Sequence, residues 1–294
     1  MEAKYKSLSI DDFQKRFPDN ESCLVYLANK KWKSGFKCHR CGHNRYCKGG
    51  KNHVRQCTSC RYKESPTANT LFHKVKFSLY KAFTVVYFVS TNKKGISSTE
   101  LSRKLQIGQK TCWLFRQKVL KAMESKNRFG LSGNIEVTDF VLGKRKIIEE
   151  GKVKYIKRRV ILGIEKKGRG ISHVYAAWIK DRSFKEIKKY MKKYVLSDSI
   201  IKCYHWSGYD KLDQDYDKVI RVRKSESQLA LSKRMEKSLV DWLKGMHHDV
   251  DLLQNYLNEF CYRFNRNQMK EEIFDHLLDR MVNHGKWTYK NIIA

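Results

Sequence analysis

Two cysteine pairs, Cys38-x-x-Cys41 and Cys57-x-x-Cys60, constrain this chain more than any other feature. A C-x-x-C turn is a tight knuckle that aims both sulfurs at one point. Two knuckles this close in sequence supply four thiolates, and four thiolates suit tetrahedral zinc at roughly 2.3 Å per bond. Four protein ligands leave no open position, so a structural metal is expected. The intervening "RYCKGGKNHVRQC" reads as a hairpin, Arg45 to Cys47 and Val54 to Cys57 around a Gly49-Gly50 turn. His39, His43, Cys47 and His53 lie nearby but break the paired spacing, and are read as non-ligands. Nine cysteines is an odd number, and the pairing favours metal over disulfides. Cys23, Cys47, Cys112, Cys203 and Cys261 are expected to be buried thiols.

Charge names the partner. Sixty-two Lys and Arg face thirty Asp and Glu, a formal +32 spread over 294 residues. So much like charge opposes compaction unless a polyanion neutralises it. Nucleic acid is the expected partner, its binding weakening steeply with salt, and the helix-turn-helix read below narrows it to double-stranded DNA. No stretch of 18 apolar residues occurs, so no membrane span is expected. The opening "MEAKYKSLSIDDFQKRF" lacks the apolar core of a leader. A cytoplasmic, nucleoid-associated location is expected, or a nuclear one in a eukaryotic host.

The periodicity predicts an α+β multidomain chain in four parts. Residues 1–35 read as N-terminal helices, one capped by Ser9 with Asp12 three residues on, the next by Asn20 or Ser22. Residues 36–75 form the zinc ribbon. Residues 76–125 read as a buried helix, "SLYKAFTVVYFVSTN", followed by a helix-turn-helix. There Ser97 or Ser98 caps "STELSRKL", Ile107-Gly108 turns the chain, and "KTCWLFRQKVLKAM" is the recognition helix. Gln109, Lys110, Thr111, Arg116 and Gln117 are expected to be exposed for DNA contact, over a buried stripe of Leu114, Val119 and Met123. Residues 124–133 read as a linker.

Residues 133–294 form the last part. "NIEVTDFVL" alternates as a strand, "RRVILGIEKKGRGISHVYAAWIKD" gives two strands about Gly168–Gly170, "SFKEIKKYMKKYV" is a helix and "SIIKCYHW" a strand. From Ser232 onward the pattern is helical. A mixed sheet with helices on its faces is predicted. Trp206 and Trp242 are expected in the core, His247, His248 and Asp249 in a solvated turn, and Arg221 to Ser227 as a charged strand end.

These pieces together resemble a known family. "CHRCG", "CTSC", "SPTANTLFHKVKFSLYKAF", "KGISSTELSRKL", "KTCWLFRQKVLKAM", "EVTDFVLGKRK", "HWSGYDKL", "WLKG" and "YLNEFCYRFNR" occur in the order found in zinc-ribbon insertion-sequence transposases. That group has an ISXO-like DDE domain related to Merlin transposons. The resemblance implies a ribonuclease-H-like domain, mixed α/β, whose three carboxylates hold two divalent metals, usually magnesium, for phosphodiester transfer. It also implies action as a homo-oligomer on DNA.

The chain departs from the family at each acid. Thr138 takes the first acidic position in Glu136-Val137-Thr138-Asp139, and Tyr204 takes the second in Cys203-Tyr204-His205-Trp206. The third falls on Lys237, with Glu236 one residue away. A hydroxyl and a phenol are uncharged at neutral pH. Asp139 is on the wrong strand face to replace Thr138 directly. The expectation is a degenerate DDE centre that binds DNA without cutting, with magnesium relevant only if the centre is intact. The alternative is an active transposase with displaced carboxylates drawn from Asp139, Asp181, Asp210 and Glu236. A third reading is an RNA-binding or scaffolding protein that uses the basic surface alone.

Overall fold

Ser9 opens the first helix as its spacing predicts: its hydroxyl accepts from the Asp12 amide at the start of α1, Ile10–Arg16. The second helix, α2 (Asn20–Lys31), is capped one residue earlier than expected. Asp19 accepts from the Ser22 amide while the Ser22 side chain accepts from the Asp19 amide, a reciprocal capping box. The computed structural model describes residues 7–125, 130–149, 152–223, 229–244 and 252–293. They fall into two units, Met1–Met123 with Met269–Ala294, and Glu124–Gln268.

The first unit carries a small antiparallel sheet, β1 (Tyr46–Lys48), β2 (Arg55–Cys57) and β3 (Lys63–Glu64), in that order. Tyr46 pairs with Cys57, so the hairpin expected between the cysteine pairs is present, one residue displaced. Three helices follow: α3 (Leu79–Thr91), α4 (Ser98–Leu105) and α5 (Gln109–Ala122). The apolar α3 is buried along most of its length. Its Thr84 and Thr91 hydroxyls donate back to the carbonyls of Tyr80 and Tyr87, both at 2.8 Å, which satisfies them without water. Ser97, not Ser98, caps α4. The reversal into α5 is made by Gln106 in the left-handed region, φ 51°, ahead of the expected Ile107-Gly108.

The end of the chain returns to this unit, which corrects the boundary expected at residues 133–294. Helix α9 (Glu272–Asn283) buries Phe274, Leu277, Leu278 and Met281. Phe274 meets Phe13, Phe17 and Phe83 at ring separations of 5.7, 5.8 and 6.3 Å. Asp275 receives both Arg16 terminal nitrogens, at 2.7 and 2.6 Å, and the Tyr26 hydroxyl. The short α10 (Tyr289–Ile293) closes the unit.

The second unit is built on a five-stranded mixed sheet. Its strands are β4 (Asn134–Glu149), β5 (Lys152–Lys167), β6 (Gly170–Ile179), β7 (Ile200–Tyr204) and β8 (Lys218–Val222), in the order β6-β5-β4-β7-β8. The first three pair antiparallel, and β4, β7 and β8 run parallel. Strand β8 has no counterpart in the sequence reading beyond the charged run at Arg221. The helices are α6 (Phe184–Tyr194), α7 (Ala230–Lys244) and α8 (Leu253–Asn265). Alternation along β4 divides the faces: Val137 and Gly163 sit on the side where α6 places Tyr190, and Glu136 is on the side where α7 places Ser232.

Helix α8 covers the outer edge of β6 with two amide side chains. Asn265 accepts from the Val174 amide at 2.8 Å and donates to the Val174 carbonyl at 2.9 Å. Gln254 does the same for Trp178 and Ala176, at 3.0 and 3.3 Å. An edge strand is thereby paired by side chains and closed to further strand addition. Of the linker at 124–133, residues 126–129 lie outside the described residues, as do His247, His248, Asp249 and residues 224–227 of the charged run.

Candidate functional site

Four sulfurs converge in the first unit. The Sγ atoms of Cys38, Cys41, Cys57 and Cys60 all lie within 4.8 Å of one another. Cys38 is 3.6 Å from Cys60, and Cys41 is 3.6 Å from Cys57. A tetrahedron with Zn–S bonds near 2.3 Å has edges of roughly 3.8 Å. The arrangement fits a four-coordinate metal and is compatible with a zinc ribbon. The two knuckles repeat one backbone pattern. The amide of the first cysteine donates to the carbonyl five residues on, Cys38 to His43 and Cys57 to Tyr62. The residue after the second cysteine has positive φ in both, Gly42 at 75° and Arg61 at 58°. Burial pushes the Cys57 thiol up, but donation from the Cys60 and Ser59 amides and from the neighbouring thiols outweighs this and brings it down to about 7.

The expected non-ligands stay apart from the cluster. His43 pairs with Thr58 at 3.1 Å and His53 with Glu21 at 2.6 Å. Cys47 is exposed, against expectation, because it lies on the outer strand β1. Cys23, Cys112, Cys203 and Cys261 are buried as expected. Ala28 of α2 and Trp32 just past its end pack with Phe36, Cys38 and Cys57 under the knuckles. The Arg55 guanidinium lies 4.2 Å from the Trp32 ring and 4.0 Å from that of Tyr46. Lys31 and Glu64 pair at 2.7 Å, both side chains nearly covered.

Helix α5 presents fewer side chains than expected. Gln109 and Lys110 are exposed, and Thr111 is half-buried. Arg116 and Gln117 are fully buried, which removes them from any DNA-facing surface. Arg116 lies one turn from both Cys112 and Leu120, so it belongs to the stripe that α9 and α10 cover. Val119 and Met123 are buried as expected, and Leu114 is half-buried. Gln109 donates to the Ser98 hydroxyl at 3.4 Å across the α4–α5 turn.

The second unit holds the positions at which the resemblance places acids. Thr138 is buried, and Tyr204 sits one position beyond the Val137–Cys203 pair on the adjacent strand. The Tyr204 phenol is pushed above its ordinary pKa, first by desolvation, then by the charges of Glu236 and Glu136. Glu236 is half-buried and Lys237 exposed, so the helix turns Glu236 and not Lys237 toward this face. Sequence reading missed Glu136, two residues before Thr138 and so on its face. Glu136 is 1% exposed. Its Oε2 accepts from the Ser232 amide at 3.1 Å and hydroxyl at 2.9 Å, and Lys166 stands 3.6 Å from Oε1. The Ser232 amide belongs to the first turn of α7, where backbone donors lack helical partners, so the carboxylate caps the helix.

The other proposed substitutes are occupied or remote. Asp139 faces away from Thr138, bound by Arg159 at 3.0 Å, Arg182 at 2.5 Å and the Tyr209 hydroxyl at 3.3 Å. Asp181 accepts from the Ser183 amide in an exposed turn. Asp210 is exposed, 3.9 Å from Arg221. Trp206, expected in the core, is 45% exposed, with the Arg182 guanidinium 4.8 Å from its ring. Trp242 is half-buried. In "HWSGYDKL", Gly208 is required by crowding: a Cβ there would lie 2.3 Å from the Arg182 carbonyl oxygen. Among the described residues, the four cysteines are the one group of three or more His, Cys, Asp or Glu close enough to share a metal.

Residues 130–265 match the family profile of the ISXO2-like transposase domain. That stretch of the chain is similar to the transposase domain. Comparison with curated proteins finds no match. Among solved structures, a chain from the crystal structure of the Mos1 strand transfer complex is similar at 10% identity, over 70% of this chain and 78% of that one, with a TM-score of 0.25. That likeness is too distant to bear on the fold. Among the described residues, no helix is long and apolar enough to cross a membrane.

Proposed function

We propose that this protein binds duplex DNA as a transposase-family protein whose ribonuclease-H-like domain has lost its cleavage centre. The observation that carries the reading is the Thr138 face. Two family acid positions hold a hydroxyl and a phenol, and the nearest buried carboxylate, Glu136, is committed to Ser232 and Lys166. The ribonuclease-H-like reading is supported by the sheet itself, three antiparallel strands followed by two parallel ones on the far side of the first. DNA binding is supported by the formal +32 and by the α4–α5 pair, with Lys110 exposed at the start of the second helix.

The four cysteines hold structural zinc in this reading. Zinc ties the two knuckles together and has no part in strand chemistry. Assembly as a homo-oligomer on DNA belongs to the same reading and is checked by light scattering of the complex.

The test is duplex binding and nicking measured on one zinc-loaded preparation. Binding is expected without magnesium, weakening steeply between 50 and 200 mM salt, a loss of about 10³-fold or more if six or more phosphates are contacted. No nicking is expected with magnesium or manganese. A second reading, an active enzyme with displaced carboxylates, is favoured by one observation: the charges of both Glu136 and Glu236 act on Tyr204. Manganese-dependent nicking abolished by Glu236→Gln would establish that second reading.

A further inference from the structure

Strands β4 and β5 are longer than the sheet they belong to. Pairing of β5 with β6 ends at Arg159–Ile179, and pairing of β4 with β7 ends at Val137–Cys203. The β4–β5 ladder continues alone from Gly143–Arg158 to Glu149–Lys152. At about 3.3 Å per residue this is an arm on the order of 20 Å long. A register shift between Val141 and Gly143 marks its base.

Among the described residues of the arm, the large apolar side chains stay exposed. Ile148, Val153, Tyr155 and Ile156 are 71, 50, 65 and 49% exposed. Lys144, Arg145, Lys146, Lys152, Lys154 and Lys157 are exposed as well. Residues 143–158 contain seven Lys or Arg against two Glu. Register sorts them by face. Lys144, Lys146 and Ile148 stand opposite Lys157, Tyr155 and Val153, and Arg145 is on the reverse face with Ile156, Lys154 and Lys152. A two-stranded ribbon that stays in water, with cations on both faces and apolar side chains between them, matches a polyanion with apolar surface in its groove. Duplex DNA has that chemistry, and its major groove, about 12 Å wide, admits a two-stranded ribbon.

We infer that the β4–β5 arm is a DNA-binding element in its own right, its lysines on phosphates and the Tyr155–Val153–Ile148 side against the groove. This rests on the DNA-binding reading given above but adds a DNA-binding surface outside the α4–α5 pair.

The experiment measures anisotropy of a labelled 30-base-pair duplex across a salt series, using the full zinc-loaded chain. The variants are Lys144→Gln/Lys146→Gln/Lys154→Gln/Lys157→Gln, the same four lysines changed to Arg, Tyr155→Ala, and Lys110→Ala as a helix reference. Removing one lysine–phosphate pair should flatten the slope of log K against log salt by about 0.9, so the glutamine variant should flatten it by up to roughly 3 to 4. The arginine variant should keep the wild-type slope. Tyr155→Ala should weaken binding with the slope intact. A glutamine variant with wild-type slope and affinity overturns the arm and leaves DNA binding standing. A wild-type chain that does not bind duplex overturns both. A glutamine variant whose mass in light scattering drops while its slope holds identifies the arm as an interface between copies, which also overturns the proposal.

Discussion

The four-cysteine cluster and the Thr138–Tyr204 face differ in what else their donors have to do. In the cluster the sulfurs turn to one another, and backbone amides aimed at Cys57 favour its thiolate. On the sheet, the carboxylates that remain are held by the protein. On the Thr138 face Glu136 caps α7, and on the opposite face Asp139 is held by two arginines and a tyrosine. A metal in the cluster would satisfy groups that otherwise crowd one another. A metal on the sheet face would have to displace amides and cations already in place. Donor type alone is therefore a weak guide to a metal seat; the competing partners decide.

The comparison breaks most readily at the cysteines. Cys38→Ser or Cys57→Ser should abolish stoichiometric zinc and unfold the knuckles, because a structural zinc site contributes on the order of 10 kcal/mol to its fold. Elemental analysis of the purified variants checks this, and zinc retained by both would refute the cluster as a metal seat. Asp139→Ala should be the next largest effect. It strands Arg159 and Arg182 beside each other with no anion, and breaking a largely buried pair in this way costs about 3 kcal/mol. Denaturant unfolding of the second unit measures it. If Asp139 were instead a displaced metal ligand, its loss would leave stability nearly unchanged in metal-free buffer.

What is legible in the sequence is what depends on neighbours in sequence. The knuckles are local turns, so C-x-x-C spacing announces them, and Ser9 and Ser97 announce their helices by reaching three residues ahead. Long-range partners are not legible. Arg116 and Gln117 read as exposed if α5 is given one apolar stripe. A second cover, α9 and α10, arrives from the far end of the chain. Glu136 draws no notice in the sequence, because its partner Ser232 lies 96 residues on. "YLNEFCYRFNR" is recognisable as a motif, but its Asn265 acquires a purpose only against the β6 edge.

Glu136 gives a smaller and sharper test. Glu136→Ala leaves the Ser232 amide and hydroxyl buried without their acceptor, which should cost about 1–3 kcal/mol. Glu136→Gln keeps an acceptor oxygen and should recover much of that loss. Equal destabilisation by both would mean that the charge, through Lys166 and the α7 terminus, matters more than the hydrogen bonds.

The smallest expected effect separates a degenerate centre from a displaced one. Thr138→Asp/Tyr204→Asp restores carboxylates at both family positions, beside Glu136 and Glu236. Without metal, four acids on one face repel, and the double variant should melt below the wild type. With manganese at about tenfold its Kd, binding to the native state alone should return roughly 1.4 kcal/mol. The wild type should show no manganese-dependent rise in Tm beyond that of the Thr138→Ala control. If the wild type does rise, and Glu236→Gln removes the rise, the face already seats a metal and the carboxylates were displaced rather than lost. If neither protein responds, restoring two acids is not enough, because Glu136 remains bound to Ser232 and Lys166 and cannot turn toward the ion.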